Sequence, residues 1–307
     1  MCSSDLDALF RSAGKAPELW DSATGSITRP GVFRGEKDGR TALPMHLDPN
    51  GSVFVVFREK APVRHATETD LTAGTVLLKK DGRLLAALER GVSASVRFSD
   101  GASAKIKASE LPPPVTLDGP WQVTFPPNLG APASATFDTL LSWPDHPDAG
   151  IRFFSGTATY TQTFELPSAL FGEGRELTLD LGRVEVIAQV TLNGRSLGTL
   201  WKPPFRVRAD GVAKPGANTL SVRITSLWPN RLIGDAALPD DIPWQSPEKA
   251  VSLPASWPEW LIKGQPRPSG RIAFCTRKNV YGKTDPLLPS GLLGPVTFSA
   301  AQQISVE

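Results

Sequence analysis

The sequence predicts an all-β fold: a jelly-roll or galactose-binding-like β-sandwich preceded by a smaller, truncated β module. Three observations lead there. Pro and Gly number 29 and 27 of 307 residues, and these two interrupt helices while they punctuate strands. Residues 156–166 alternate with period two, setting Ala158, Tyr160, Gln162 and Phe164 against a face of Thr157, Thr159, Thr161 and Thr163. Asn193-Gly194 sits between two apolar runs, the strongest short-range signal for a type I′ hairpin. No segment carries a helical period with caps, and residues 168–172 make at most one turn.

The elements follow in order. Residues 1–6 have neither a positive n-region nor an apolar h-region, so they do not read as a signal peptide. Residues 8–20 read like the interior of a domain, and a fragment lacking its natural N-terminal portion is expected. Residues 52–57 are continuously apolar and β-branched, which predicts a strand buried on both faces, entered through a turn at Asp48-Pro-Asn-Gly51. Short strands are expected at 75–79, 83–88, 94–98 and 104–107, separated by Asp81-Gly82, Gly91 and Asp100-Gly101. The prolines 112–114 cannot donate to a ladder and stiffen the chain, so a boundary is placed there: 1–111, then 112–307. Beyond it, strands are expected at 119–125, 156–166, 176–181, 186–192, 196–201, 218–225 and 295–299. Residues 226–294 lack strand patterning but hold four tryptophans, which predicts an ordered excursion covering a site or a neighbouring domain.

Composition narrows the function classes. With 33 Lys+Arg against 31 Asp+Glu, the chain has no basic excess of the kind a dedicated nucleic-acid binder shows. No apolar run is long enough for a membrane span. Cys2 and Cys275 make neither a disulfide framework nor a zinc site. Eight Trp against two Tyr and two Met is the compositional surplus, and an indole suits a sugar ring as well as a core.

Motifs for nucleophilic, phosphate, dinucleotide or zinc chemistry are absent. The three histidines, His46, His65 and His146, lie in turn-like or unpatterned contexts, and His146, which has neighbouring carboxylates, is in a segment that reads as a solvated turn. Asp235, Asp240, Asp241, Glu248, Glu259 and Asp285 are the late carboxylates, but no βα alternation exists to hold a pair across a glycosidic bond. The sharper constellation is Trp201-Lys-Pro-Pro-Phe-Arg206 with Leu227-Trp-Pro-Asn-Arg231 and Asp235. If the strands ending before Trp201 and Trp228 are neighbours, both indoles gather with Asn230, Arg231 and Asp235 at one rim of the sandwich, as a polyhydroxylated ligand requires. The alternative is structural: the indoles plug the sandwich end and Arg231 pairs with Asp235.

These same residues carry a family resemblance. The run Leu181-Gly-Arg-Val-Glu-Val-Ile-Ala-Gln-Val-Thr-Leu-Asn-Gly194, with Leu197-Gly-Thr-Leu-Trp-Lys-Pro-Pro-Phe205, resembles the C-terminal β-sandwich of bacterial α-L-rhamnosidases of glycoside hydrolase family 106. Leu227-Trp-Pro-Asn-Arg-Leu-Ile-Gly-Asp235 and Asp285-Pro-Leu-Leu-Pro289 look like the same family, and Gly14-Lys-Ala-Pro-Glu-Leu-Trp-Asp21 is similar to the β-rich region before that sandwich. More distantly, the sandwich is similar to the sugar-binding jelly roll of β-galactosidases and β-mannosidases. The resemblance implies a missing N-terminal catalytic barrel bearing the acid and base, rhamnose-containing or other plant polysaccharide as ligand, and a secreted or periplasmic parent. It implies no cofactor, although calcium or another metal in the parent enzyme is left open, with Asp235 as the matching position. Lys278, Tyr281 and Asp285 are further rim candidates beside Arg206.

The expected function is that of a non-catalytic portion of a glycoside hydrolase that supplements a carbohydrate cleft. Two rivals stand beside it: a purely structural interface domain without its own ligand, and a hydrolase using late carboxylates such as Asp235 and Asp285.

Overall fold

A computed structural model describes residues 4–49, 51–249 and 251–307. Cys2 and the reading of residues 1–3 lie outside the described residues, as does Asn50 of the turn before Gly51.

The larger part is an all-β sandwich. Its first sheet runs Ser134–Phe137, Trp121–Thr124, Thr157–Leu166, Gly216–Thr225, Ile187–Leu192 and Arg195–Leu200 in spatial order. The second contains Arg206–Arg208, Arg175–Asp180 and Thr297–Ser305, with Val115–Thr116 paired to the last. From Thr157–Leu166 the chain passes to Arg175–Asp180 in the second sheet, returns for the Ile187–Leu200 hairpin, crosses to Arg206–Arg208 and comes back as Gly216–Thr225. Such alternation between layers is what a jelly roll requires. The inward residues of both sheets, among them Trp121, Tyr160, Val190, Val222, Leu179 and Phe298, form one core. Each fully buried large apolar side chain contributes ~1.5–3 kcal/mol.

The local reasons are visible. In Thr157–Leu166, Ala158, Tyr160 and Gln162 are buried while Thr157, Thr159 and Thr161 stay half-buried on the opposite face. Asn193 and Gly194 both have positive φ, 50° and 77°, as a type I′ turn demands, and Leu192 pairs with Arg195 across it. Asn193 also donates its Nδ2 to the Val212 carbonyl and to Asn218 Oδ1, tying the turn to the start of the neighbouring strand.

The N-terminal part holds a second apolar core, from Ala16 to Ala108 with Val306 added from the far end of the chain. Ser4–Phe10 pairs with Thr41–Leu47, and Lys15–Trp20 with Phe54–Lys60. Val76–Leu78 and Leu84–Leu88 extend the second sheet of the sandwich, because Leu84–Leu88 pairs with Gln302 to Ser305 of the last strand. One sheet therefore serves both cores.

Three expectations need correction. The Phe54–Lys60 strand is not buried on both faces: it lies at the edge of a three-stranded sheet and Phe54 is exposed. The excursion 226–294 does contain helix, a single turn at Glu259–Ile262 and the longer Pro229–Ala236, whose pattern was hidden because polar Asn230, Arg231 and Asp235 share its buried side with Ile233. It also holds one short strand, Gly291–Gly294, paired with Arg183–Glu185. Among the described residues, no helix is long and apolar enough to cross a membrane.

Candidate functional site

The end of the first sheet where Thr225 stops is the place to build from. Leu200 lies opposite Ala188, and Ala188 opposite Ile224. The strands that lead into Trp201 and Trp228 therefore finish at the same sheet end, one intervening strand apart, roughly 10 Å by strand spacing. Both indoles face solvent, at 55% and 46% exposure.

Trp228 is the N-cap of the Pro229–Ala236 helix, with Pro229 supplying a preset φ at the first helical position. The polar residues of that helix turn inward. Asn230, 1% exposed, donates Nδ2 to the Leu288 carbonyl at 2.7 Å and to Ser290 Oγ at 3.0 Å, and accepts from Leu288 N at 2.8 Å. Asp235, 3% exposed, accepts from the amides of Ile272 and Ala273 on Oδ2 at 3.0 and 2.7 Å. Arg231 Nε lies 3.0 Å from Asp235 Oδ1, an ion pair whose alignment falls short of a hydrogen bond. Gly234 makes room for this arrangement: a Cβ there would come within 2.7 Å of Arg231 Nη2 and of the Phe153 ring.

The expected open rim is thus corrected. Asn230, Arg231 and Asp235 are not gathered with the indoles on a free surface. Instead they pin the helix to the segments around 272 and 288, because a buried carboxylate and amide must spend their hydrogen-bonding capacity on the fold. That Arg231 pairs with Asp235 follows the structural alternative. A metal does not fit at Asp235, since two amides and a guanidinium already surround its carboxylate. No group of three or more His, Cys, Asp or Glu is arranged to hold an ion among the described residues.

The remaining candidates separate. Lys278 and Tyr281 line a cleft of about 60 Å3 together with Asp235, Asp240, Trp244, Arg267, Arg271 and Arg277. Asp285 lies elsewhere in the loop and accepts the Gly282 amide at 2.9 Å in a local turn. Arg206 binds Asp180 at 2.7 Å, a bond that raises its already high pKa, and borders a separate groove of about 500 Å3 with Glu89, Thr178 and Ser299.

The late carboxylates do not form a free acid–base pair. Burial works to raise the Asp241 carboxyl, but Arg267 and Ser269 hydrogen bonds outweigh it and hold it below the ordinary carboxylate range. An acid that must stay protonated needs the opposite shift. Asp240 accepts the Trp244 indole N–H at 2.5 Å, and Glu259 pairs with Lys263. His146 stacks on Phe137 and accepts the Asp148 amide in its turn.

Sequence reasoning missed Trp244, Arg267, Arg271 and Arg277 of the cleft. The signal was present: Arg267, Arg271, Arg277 and Lys278 form a cationic run in a segment without strand pattern.

Fold and site together define an all-β sandwich with an aromatic-bearing loop region packed against one end. No protein-family model matches the chain. A curated protein of Formosa agariphila named "Putative beta-glucuronidase" is 44% identical over 208 residues, which is 66% of this chain and 17% of that protein. The solved structure of a rhamnosidase from Novosphingobium sp. PP1Y superposes with a TM-score of 0.62 and 32% identity, covering 97% of this chain and 22% of that one. The chain spans about a fifth of the length of these relatives. In sequence and fold it is related to a β-rich portion of glycoside hydrolases.

Proposed function

We propose that the chain is a non-catalytic, C-terminal β-sandwich portion of a bacterial glycoside hydrolase of the α-L-rhamnosidase type. In this reading the excursion 226–294 packs on a catalytic barrel and helps line a carbohydrate cleft, and the parent enzyme is secreted or periplasmic. The observation that carries it is the pair of solvent-facing indoles, Trp201 and Trp228, at one sheet end beside a helix whose Asn230, Arg231 and Asp235 are buried. Flat aromatic faces left exposed beside rigid elements suit a pyranose ring. A rhamnosidase and a glucuronidase-named protein among the relatives support rhamnose-containing or uronate-containing plant polysaccharide as the ligand.

Calorimetric titration of the chain with rhamnose-containing oligosaccharides tests the proposal. Trp201→Ala or Trp228→Ala is expected to weaken binding at least ~fivefold, as for an aromatic anchor that the ligand covers. Wild-type affinity in both variants would remove the indoles from the ligand.

One observation favours a second reading, a structural interface without its own ligand. Leu227, Val251, Leu253, Trp257, Ile262 and Leu288 are also exposed within the excursion. Exposed apolar side chains concentrated in one stretch of chain suit a contact with another body. Self-association or dye binding by the chain, with no response to any oligosaccharide, would support this reading over the first.

A further inference from the structure

The Phe54–Lys60 strand ends its sheet, with Lys15–Trp20 and then Ile27–Thr28 on one side and no strand on the other. Among the described residues, the backbone of 54–60 bonds to no segment besides Lys15–Trp20. Three other edge strands reach five residues: Ser4–Phe10, Ser103–Lys107 and Arg195–Leu200. Each is guarded in a way that keeps edges from pairing with other chains. Asp5 and Asp7 interrupt the first, Lys105 and Lys107 the second, and the third bulges at Leu197. Val53-Phe-Val-Val-Phe57 has no such guard, being five apolar residues in succession without charge, Pro or Gly. The charges Arg58, Glu59 and Lys60, and the irregularity of this pairing, come only after Phe57.

The same run is complementary to itself. In antiparallel pairing about Val55, Val55 faces Val55 of the second copy, Phe54 faces Val56, and Val53 faces Phe57. Five apolar residues then meet five, the kind of cross-strand contact that stabilises a sheet. The faces also match. Val53 and Val55 pack on the N-terminal core and Phe57 on Phe10, while Phe54 and Val56 lie on the outer face with Trp20. Phe54 is 64% exposed there, beside a half-buried Trp20 and an exposed Ile27. Beyond the run Ser52 faces Arg58, so no like charges are opposed.

We propose that the chain associates with a second copy of itself through this edge, residues 53–57 of the two copies joining antiparallel about a two-fold axis at Val55. Two three-stranded sheets become one of six strands, the self-complementary contact that such an axis requires. This surface is separate from the indoles of the carbohydrate reading and from the excursion 226–294.

Sedimentation of the chain over a concentration series tests it. Two five-residue runs fall short of the ~1,200 Å2 of a standard interface, so the mass is expected to double only near ~100 µM. Phe54→Glu replaces an exposed side chain and leaves the N-terminal core intact. It sets a carboxylate against Val56 in both halves of the contact and is expected to weaken association at least ~tenfold. Trp257→Glu, in the excursion, is expected to change nothing. Hydrogen exchange supplies the second readout: amides within 53–57 should slow as the dimer forms, because strand pairing protects backbone where side-chain packing does not. A wild-type chain that stays monomeric throughout the series overturns the inference. So does a dimer dissolved by Trp257→Glu and not by Phe54→Glu, which would assign association to the excursion, or a dimer whose amides at 53–57 exchange as fast as the monomer's.

Discussion

Asp235 shows how a residue with the look of a ligand group can be fully committed to the fold. Its two oxygens meet the amides of Ile272 and Ala273 and the guanidinium of Arg231, all shielded from solvent. Asp235→Ala would orphan both amides and leave Arg231 as an unpaired buried charge, a loss of ~3–5 kcal/mol. Urea unfolding of the variant measures it, and a loss below ~1 kcal/mol would mean solvent reaches the pair. At this scale the sequence was readable for which residues stand out and unreadable for which of them the fold consumes. Trp201 and Trp228 announced themselves by standing just past the ends of two strands, the second of them alternating. Asn230 was singled out for the rim, but its structural role was not legible, because its partners are a carbonyl and a hydroxyl at Leu288 and Ser290, groups that leave no pattern in a sequence.

Among the elements, period and turn chemistry decided what could be foreseen. The Thr157–Leu166 strand and the hairpin through Asn193-Gly194 were legible because alternation and a positive-φ dipeptide are local signals. The Pro229–Ala236 helix was not, since it buries Asn230, Arg231 and Asp235 along with Ile233 and so lacks a plainly apolar face. Ser4–Phe10 and Thr41–Leu47 were also missed. Neither alternates cleanly, and Pro44 interrupts the second. This strand pair carries a pH dependence. Asp5 sits opposite His46 and bonds its Nδ1 at 2.8 Å, which, against a smaller opposing effect of burial, raises the His46 pKa above 6.5, with Asp48 adding to it. Because the folded state holds the proton more tightly, this stabilisation is complete below 6.5 and disappears as pH rises through the raised value. Asp5→Asn is therefore expected to lower the His46 midpoint in an NMR titration. Its effect on melting temperature should be larger on the acid side of 6.5 than on the alkaline side. An unchanged His46 midpoint would count against the pair.

For the molecule as a whole, the last strand is the joint. Thr297–Ser305 pairs with Arg175–Asp180 along most of its length and with Leu84–Leu88 at its end. Val306 then enters the N-terminal core, its amide bonded to the Leu84 carbonyl at 2.9 Å. Deleting residues 302–307 is expected to split one calorimetric unfolding transition into two, with the N-terminal core melting first. A single transition at the original temperature would show that the cores are joined by other contacts. Nothing local in the sequence announced this joint, because strand pairing across such a distance is decided by packing and not by pattern.

The same joint sets a timetable for synthesis. Leu84–Leu88 is made well before its partner, and one of its edges stays unpaired until residues more than two hundred places later have left the ribosome. At ~5–20 residues per second that wait is roughly 10–40 s, during which an unsatisfied strand edge is open to other chains. A nascent chain of this design therefore depends on chaperone cover most in the interval between those two strands.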